Sequence, residues 1–414
     1  MPHRFNALRH RNYRVYFIGQ ICSLIGTWIQ FVAMSWLVFR MTGSPLLLGL
    51  TGFINQIPIL LLGPIAGLVA DRVNRRKLLM VTQTLAMLQA LTLALLTFSG
   101  NVQVWQVIVL AGILGVINAF DVPGRQSFIV QMIGGKRDLP NAIALNSLTM
   151  NATRLVGPSL GGFLVMAVGE AWCFLINGFS FLAILIALSS VRVQDSAILR
   201  KPLAVWGDLR EGFRYTFGFM PIRVLLLELS LISFMAMPYS VLMPVFAADA
   251  FGGTARTFGI LIGCAGFGAI VATLYLASRR NIKGLASVIG LAAMTCGVAL
   301  MLFSQSRTLW LSQLLMVFVG FGIICHAASI NTILQTIVDD DKRGRVMSIY
   351  TMCFVGTAPL GNLALGQLAQ LIGTPTTFFI AGSCCLIGGV IFMSRLDTWR
   401  RNIGATPALR GIIP

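Results

Sequence analysis

The chain has 414 residues, of which 57% are apolar and only 11% are Asp, Glu, Lys or Arg. Soluble domains average about 25% charged residues, so a soluble enzyme, a disordered scaffold and a disulfide-stapled secreted domain are excluded. The net charge of +18 comes from 31 Lys and Arg against 13 Asp and Glu. These bases fall in short clusters between apolar runs, and no stretch is long enough to form a nucleic-acid-reading surface.

One spanning helix takes about 20 apolar residues. Apolar runs long enough to span lie at 13–39, 46–70, 78–98, 104–132, 139–168, 171–191, 222–246, 257–277, 285–304, 309–338, 346–372 and 377–396. The expected fold class is therefore an all-α membrane protein with twelve transmembrane helices. The basic start (Arg4, Arg9, Arg11, Arg14) leads into a run too long for a signal-peptide core, so the first span reads as a retained anchor. All eight cysteines lie in apolar runs without a CxxC. They read as small buried side chains rather than as a metal site; no metal and no cofactor is expected.

The bases set the topology. All 31 except five fall in the tails and in loops that share one side if both ends are cytoplasmic. The five are Arg40, Arg256 and Arg307 on the other side, and Arg125 and Arg154 inside spans. Basic loops stay in the cytoplasm. The longest polar stretch is central, and apolar residues at 205, 206, 209, 213 and 217 fall on one helical face, as in a helix lying on the membrane surface. The expected division is 1–191 and 222–396 as two six-helix bundles, 192–221 as the linker and 397–414 as a cytoplasmic tail. With the first half shifted by about 204 residues, Gln131 falls on Gln335, Gly157 on Gly361 and Gly162 on Gly366. Two such related halves suit a carrier with its site at mid-membrane.

The strongest local pattern is Gly67-Leu68-Val69-Ala70-Asp71-Arg72-Val73-Asn74-Arg75-Arg76-Lys77, between spans 2 and 3. It resembles the loop signature of the major facilitator superfamily. Span 5 reads Arg154-Leu155-Val156-Gly157-Pro158-Ser159-Leu160-Gly161-Gly162, similar to the Gly-Pro-x-x-Gly-Gly motif of that superfamily's proton-coupled exporters, with Thr153 where those exporters usually have glycine. Phe120-Asp121-Val122-Pro123-Gly124-Arg125-Gln126, Asn146-Ser147-Leu148 and Asp208-Leu209-Arg210-Glu211-Gly212 resemble the branch that holds the enterobactin exporter and macrolide efflux pumps. The resemblance implies two pseudo-symmetric six-helix bundles in the bacterial cytoplasmic membrane, and proton-coupled efflux of a drug or siderophore by alternating access. An importer or lysolipid flippase on the same fold is the alternative. A membrane-embedded enzyme is a third reading, with Asp121 and His326 as its only candidate groups. The implied partners are a small-molecule substrate, protons and the bilayer. There is no G-x-x-x-x-G-K-[ST] loop, so no nucleotide is expected.

The candidate site residues follow from charge and placement. Asp71, at the cytoplasmic end of span 2, can accept from the N-terminus of a facing helix; in the superfamily that is span 11. With Gly67, Arg72, Arg75, Arg76 and Lys77 it forms a candidate cytoplasmic gate. Gly157, Pro158, Gly161 and Gly162 are expected to bend span 5 and pack it against span 8. Ionisable groups inside spans are costly and face a cavity or a partner. Asp121 and Arg125 share a face of span 4, and Arg154 lies at comparable depth, so the three form a candidate charge cluster, read either as a proton switch or as a static ion pair. His326 and Glu228 are further proton-coupling candidates. Gln30, Asn55, Gln56, Asn118, Asn146, Asn151, Asn331 and Gln335 are candidate cavity amides.

Overall fold

The computed structural model describes residues 6–133, 138–191, 213–279, 282–339 and 342–404. The first half builds α1 (Arg11–Thr42), α2 (Pro45–Arg72), α3 (Arg75–Phe98), α4 (Val104–Met132), α5 (Leu139–Val168) and α6 (Glu170–Ser190). The second builds α7 (Met220–Ala236), α8 (Tyr239–Phe251), α9 (Ala255–Ser278), α10 (Leu285–Gln305), α11 (Leu309–Ile337), α12 (Arg343–Val355), α13 (Thr357–Ile372), α14 (Thr374–Ser394) and the short α15 (Leu396–Gly404). The linker expectation for 192–212 lies outside the described residues; 213–218 is helical.

Among the described residues, 11 helical segments are long and apolar enough to cross a membrane. The seventh and eleventh expected spans are each two helices end to end. Pro238 stands between α7 and α8. Pro359 has no N–H to return to the Val355 carbonyl, and the helix breaks directly after Val355, at Gly356. The remaining long helix, α5, has 30 residues but falls outside the apolar set. Asn141, Asn146, Asn151 and Arg154 lower its hydropathy. It completes the twelve.

The two halves repeat in register. Gly169, at φ 87°, ends α5 and donates its N–H to Val165 O at 3.0 Å. Gly373, at φ 85°, ends α13 and donates to Ala369 O at 3.0 Å. Both need the positive φ that only glycine adopts freely. With an offset of 204 residues, the starts of α5 and α12, the ends of α5 and α13, and the starts of α6 and α14 all coincide.

The contacts divide the chain into two compact units. The first holds 1–43, 54–202 and 252–263. Its core gathers Tyr13, Tyr16, Leu79, Phe128, Phe181 and Ile184. The 3-10 turn Asn6–Arg9 is tied to the start of α5, where Ala7 N donates to Asn141 Oδ1 at 3.0 Å and His10 Nε2 meets Asp138 Oδ2 at 3.1 Å. At the other end, Arg40 on α1 pairs with Glu170 on α6 at 2.8 Å. The second unit holds 44–53, 203–251 and 264–414. Its core gathers Leu225, Leu229, Ile289, Ile330, Ile349 and Trp399, and Trp399 Nε1 donates to Pro221 O at 3.1 Å, which fixes α15 to α7.

Candidate functional site

The densest polar site of the first unit is built on α3 and α4. Asp121 is 2% exposed. Its Oδ2 accepts from Arg125 Nε at 2.6 Å, one turn along α4. Its Oδ1 accepts from Thr82 Oγ1 at 2.8 Å and Gln83 Nε2 at 2.7 Å. Thr82 and Gln83 are adjacent on α3, and both are buried. Ser23 Oγ on α1 extends the chain of contacts to Gln83 Oε1 at 3.5 Å. Tyr16 Oη and Gln20 Oε1, also on α1, are buried and have no partner among the described residues. The carboxylate thus has both oxygens engaged, one from α4 itself and the other from α3. The sequence points to Asp121 and Arg125 but not to Thr82 or Gln83; two polar residues inside an apolar span were the available signal.

Arg154 does not join this pair. Its guanidinium lies over the Trp28 ring on α1, 5.7 Å from the centroid.

The candidate amides separate into two kinds. Gln30 is 2% exposed and sits in a closed amide chain. Asn177 Nδ2 donates to Gln30 Oε1 at 2.7 Å, Gln30 Nε2 to Gln89 Oε1 at 2.9 Å, and Gln89 Nε2 to Leu110 O at 3.2 Å. That chain joins α1, α3, α4 and α6, and its polar groups are spent on helix packing. Asn55 likewise donates to Ala111 O at 2.9 Å. Gln56, Asn118 and Asn146 are half-buried. Asn151 is half-buried and donates to Ser147 O at 3.0 Å. In the second unit Gln335 is exposed on α11 and donates to Asn331 one turn earlier.

His326 is 0% exposed, and neither ring nitrogen has a hydrogen-bond partner among the described residues. Glu228 is 8% exposed with Oε1 unpartnered. Its carboxylate lies against Gly388 on α14: a Cβ there would stand 3.2 Å from Oε1 and 3.3 Å from Oε2.

Of the loop signature, the side chain of Asp71 lies outside the described residues. Among the described residues nothing stands within 4 Å of where a Cβ on Gly67 would lie. Arg72 and Lys77 are exposed and Arg75 is half-buried. Arg76 Nη2 donates to Ser189 O at the end of α6, at 2.6 Å. Asn74 caps α3 by accepting from Lys77 N at 3.0 Å.

The span-5 motif makes backbone contacts. A Cβ at Gly157 would strike Trp28 Cβ, one at Gly161 would stand 3.0 Å from Ile29 Cα, and one at Gly162 would strike Ala255 O. Gly259 faces Pro158 O in the same way. Within the first unit α5 therefore lies directly on α1 and on the start of α9. Within the second, Gly361 meets Phe234 O, and Gly366 meets Gly49 Cα and Pro45 O.

A family model described as transmembrane secretion effector matches residues 3–405. The chain belongs to the transmembrane secretion effector family. The names of its relatives agree. The staphyloferrin A transporter of Staphylococcus aureus is 26% identical over 390 residues, covering 92% of this chain and 96% of the relative. The multidrug efflux pump Tap of Mycolicibacterium fortuitum is 27% identical, covering 90% and 93%. Macrolide efflux protein A of Streptococcus pyogenes is 20% identical, covering 94% and 96%. Solved structures share the fold. A bacterial homologue of the human lysosomal transporter Spinster, inward-facing and occupied, superposes with a TM-score of 0.72 at 13% identity, covering 95% of this chain and 98% of that one. A bacterial homologue of the iron transporter ferroportin gives 0.68 at 18% identity, covering 94% and 98%. This secretion-effector-family chain is a multi-pass membrane transporter of the major facilitator superfamily, not an enzyme.

Proposed function

We propose that the chain is a secondary active exporter of the bacterial cytoplasmic membrane, with both termini cytoplasmic, that moves a small amphipathic molecule such as a drug or siderophore by alternating access against proton entry. The names of the staphyloferrin, multidrug and macrolide relatives support the substrate range. The excess of bases in alternate loops supports the orientation.

The observation that carries the proton part is Asp121, an acid 2% exposed within a spanning helix and enclosed by Arg125, Thr82 and Gln83. An intramembrane acid is costly and marks an ion route or a fixed pair. In the proposed cycle, opening of the α3–α4 contact releases the Thr82 and Gln83 donors. Asp121 then takes a proton and Arg125 loses its partner. Closing restores the pair and expels the proton. The remaining half-buried amides line the substrate path, and Gly67 to Lys77 form the cytoplasmic gate.

The test is flux in proteoliposomes with an imposed pH gradient, screened over drugs and catechol-type siderophores. Uphill movement that follows the pH gradient and collapses with it supports the reading. Movement of substrate only down its own gradient, indifferent to pH, overturns proton coupling. Accumulation on the cytoplasmic side overturns export.

A further inference from the structure

Arg154 stands at the midpoint of α5, a 30-residue helix, so about 20 Å of helix separates it from either end. Trp28, over which it lies, is near the midpoint of α1. Among the described residues Arg154 has no hydrogen bond and no ion pair. The acids that flank α5, Asp138 and Glu170, are met by His10 and Arg40, and the buried Asp121 is already held by Arg125, Thr82 and Gln83. A guanidinium carries five N–H donors and no acceptor. Stacking on an indole satisfies none of them, and hydrocarbon offers nothing more. Those donors therefore face water or a ligand.

The surroundings say which ligand. Ser147, Asn151 and Arg154 recur at successive turns on one face of α5, with Ser147 exposed and the other two half-buried. A different face carries Leu148, Val156 and Phe163, each about half exposed, as a lipid contact requires. Beyond Arg154 the polar face closes: Pro158, Gly161 and Gly162 are buried. Arg154 is thus the last group on an open polar strip. Beside the guanidinium runs a row of rings. Trp28 meets Phe31 edge-on at 5.6 Å, and Phe31 meets Phe258 at 6.4 Å. Contact with Gly157 sets the position of Trp28.

We propose that Arg154, with Trp28 and Phe31, anchors an aromatic carboxylate: the guanidinium takes the carboxylate by two parallel N–H···O bonds, and the rings take the flat apolar body. Arginine rather than lysine suits the planar fork. The proposal rests on the exporter reading and narrows its substrate class to amphipathic anions.

The test uses the full chain in lipid nanodiscs, titrated with radiolabelled 2-naphthoate and with its neutral isostere 2-naphthamide. Wild type should bind the acid about 10- to 100-fold more tightly than the amide. Arg154→Gln should remove the preference, bringing the affinity for the acid down to that for the amide. Trp28→Phe should keep the preference for the acid and weaken both ligands. Equal binding of acid and amide by wild type, no saturable binding of the acid, or an Arg154→Gln variant that keeps the preference would each overturn the anchor. If Arg154→Gln does not fold, the acid-to-amide ratio of wild type and of Arg154→Lys decides, since lysine keeps the charge and loses the fork. Export of 2-naphthoate and of the cation ethidium under a pH gradient is measured in parallel, against protein-free liposomes. Ethidium export without acid preference leaves the exporter standing and removes the anion site. Acid preference without pH-driven flux does the reverse.

Discussion

Arg125 Nε reaches Asp121 Oδ2 at 2.6 Å, one helical turn away on α4, while the other carboxylate oxygen is held from α3. Asp121 is buried and Arg125 half-buried, with side-chain exposures of 3% and 18%. Asp121→Asn keeps an acceptor for Thr82 and Gln83 but leaves Arg125 without its anion. Breaking a buried pair costs about 3–5 kcal/mol, so the single variant should lose thermal stability. The double variant Asp121→Asn, Arg125→Gln removes both charges and should recover stability. Under the proposed coupling it should still carry downhill or exchange flux but fail to drive uphill export. Full pH-driven transport by a stable double variant would remove Asp121 as the coupling acid and move attention to Glu228.

His326 gives the opposite expectation. It is wholly buried on α11 with both nitrogens unbonded, and an unsatisfied buried polar group costs about 1–3 kcal/mol. Leucine has nearly the same volume and no polar atom. His326→Leu should therefore raise thermal stability by an amount of that order and leave pH-driven flux intact. Loss of pH-driven flux in a stable variant would make His326 part of the proton route after all.

The helices were legible because apolar runs and breaks are large signals. The limits of α4 and the register of α5 against α12–α13 follow from the sequence alone. The breaks in the seventh and eleventh spans were not drawn, although Pro238 and Pro359 stand at them, because a proline in a membrane helix breaks it only where packing lets the freed carbonyl turn away. The amides were the least legible part. Gln30 and Asn118 look alike in sequence, yet Gln30 is consumed by Gln89 and Asn177 while Asn118 stays half-buried. Whether an amide joins helices or lines a path depends on which residues meet it from other helices, and no period along one helix records that. For the same reason Asp121 and Arg125 could be paired by their spacing, whereas the turn of Arg154 toward Trp28 could not.

The orientation can be read by labelling. In a cysteine-free background, single cysteines at Arg72 and Asp339, both exposed, should react with a membrane-impermeant maleimide only from the cytoplasmic side. Cysteines at Asn101 and Arg307, also exposed, should react only from outside. Gly169 and Gly373 are poor positions for this purpose, because their positive φ strains any other residue. Outside labelling at Arg72 or Asp339 would overturn the topology drawn from the bases.

The glycines of the two recognisable motifs should respond differently to alanine. At Gly162 an added methyl strikes the Ala255 carbonyl and stands 3.1 Å from Arg256 Cα. At Gly366 it stands 2.9 Å from Gly49 Cα and 3.0 Å from Pro45 O. Both obstacles are backbone and cannot rotate aside, so the helices must separate, and overpacking of this kind costs about 1–3 kcal/mol. At Gly67 nothing among the described residues lies within 4 Å of the added atom. Alanine there meets no obstacle and restricts the unfolded chain, a gain of about 0.4–1 kcal/mol. Gly162→Ala and Gly366→Ala should therefore lower the melting temperature, and Gly67→Ala should hold or raise it. Flux then separates two roles for Gly67. A stable Gly67→Ala variant with normal transport leaves that position as a neutral point in a basic loop. A stable variant with slowed transport places Gly67 against a neighbour that arrives only during the cycle, as a gate requires. Destabilisation by Gly67→Ala, or tolerance of alanine at both Gly162 and Gly366, would contradict the packing on which this contrast rests.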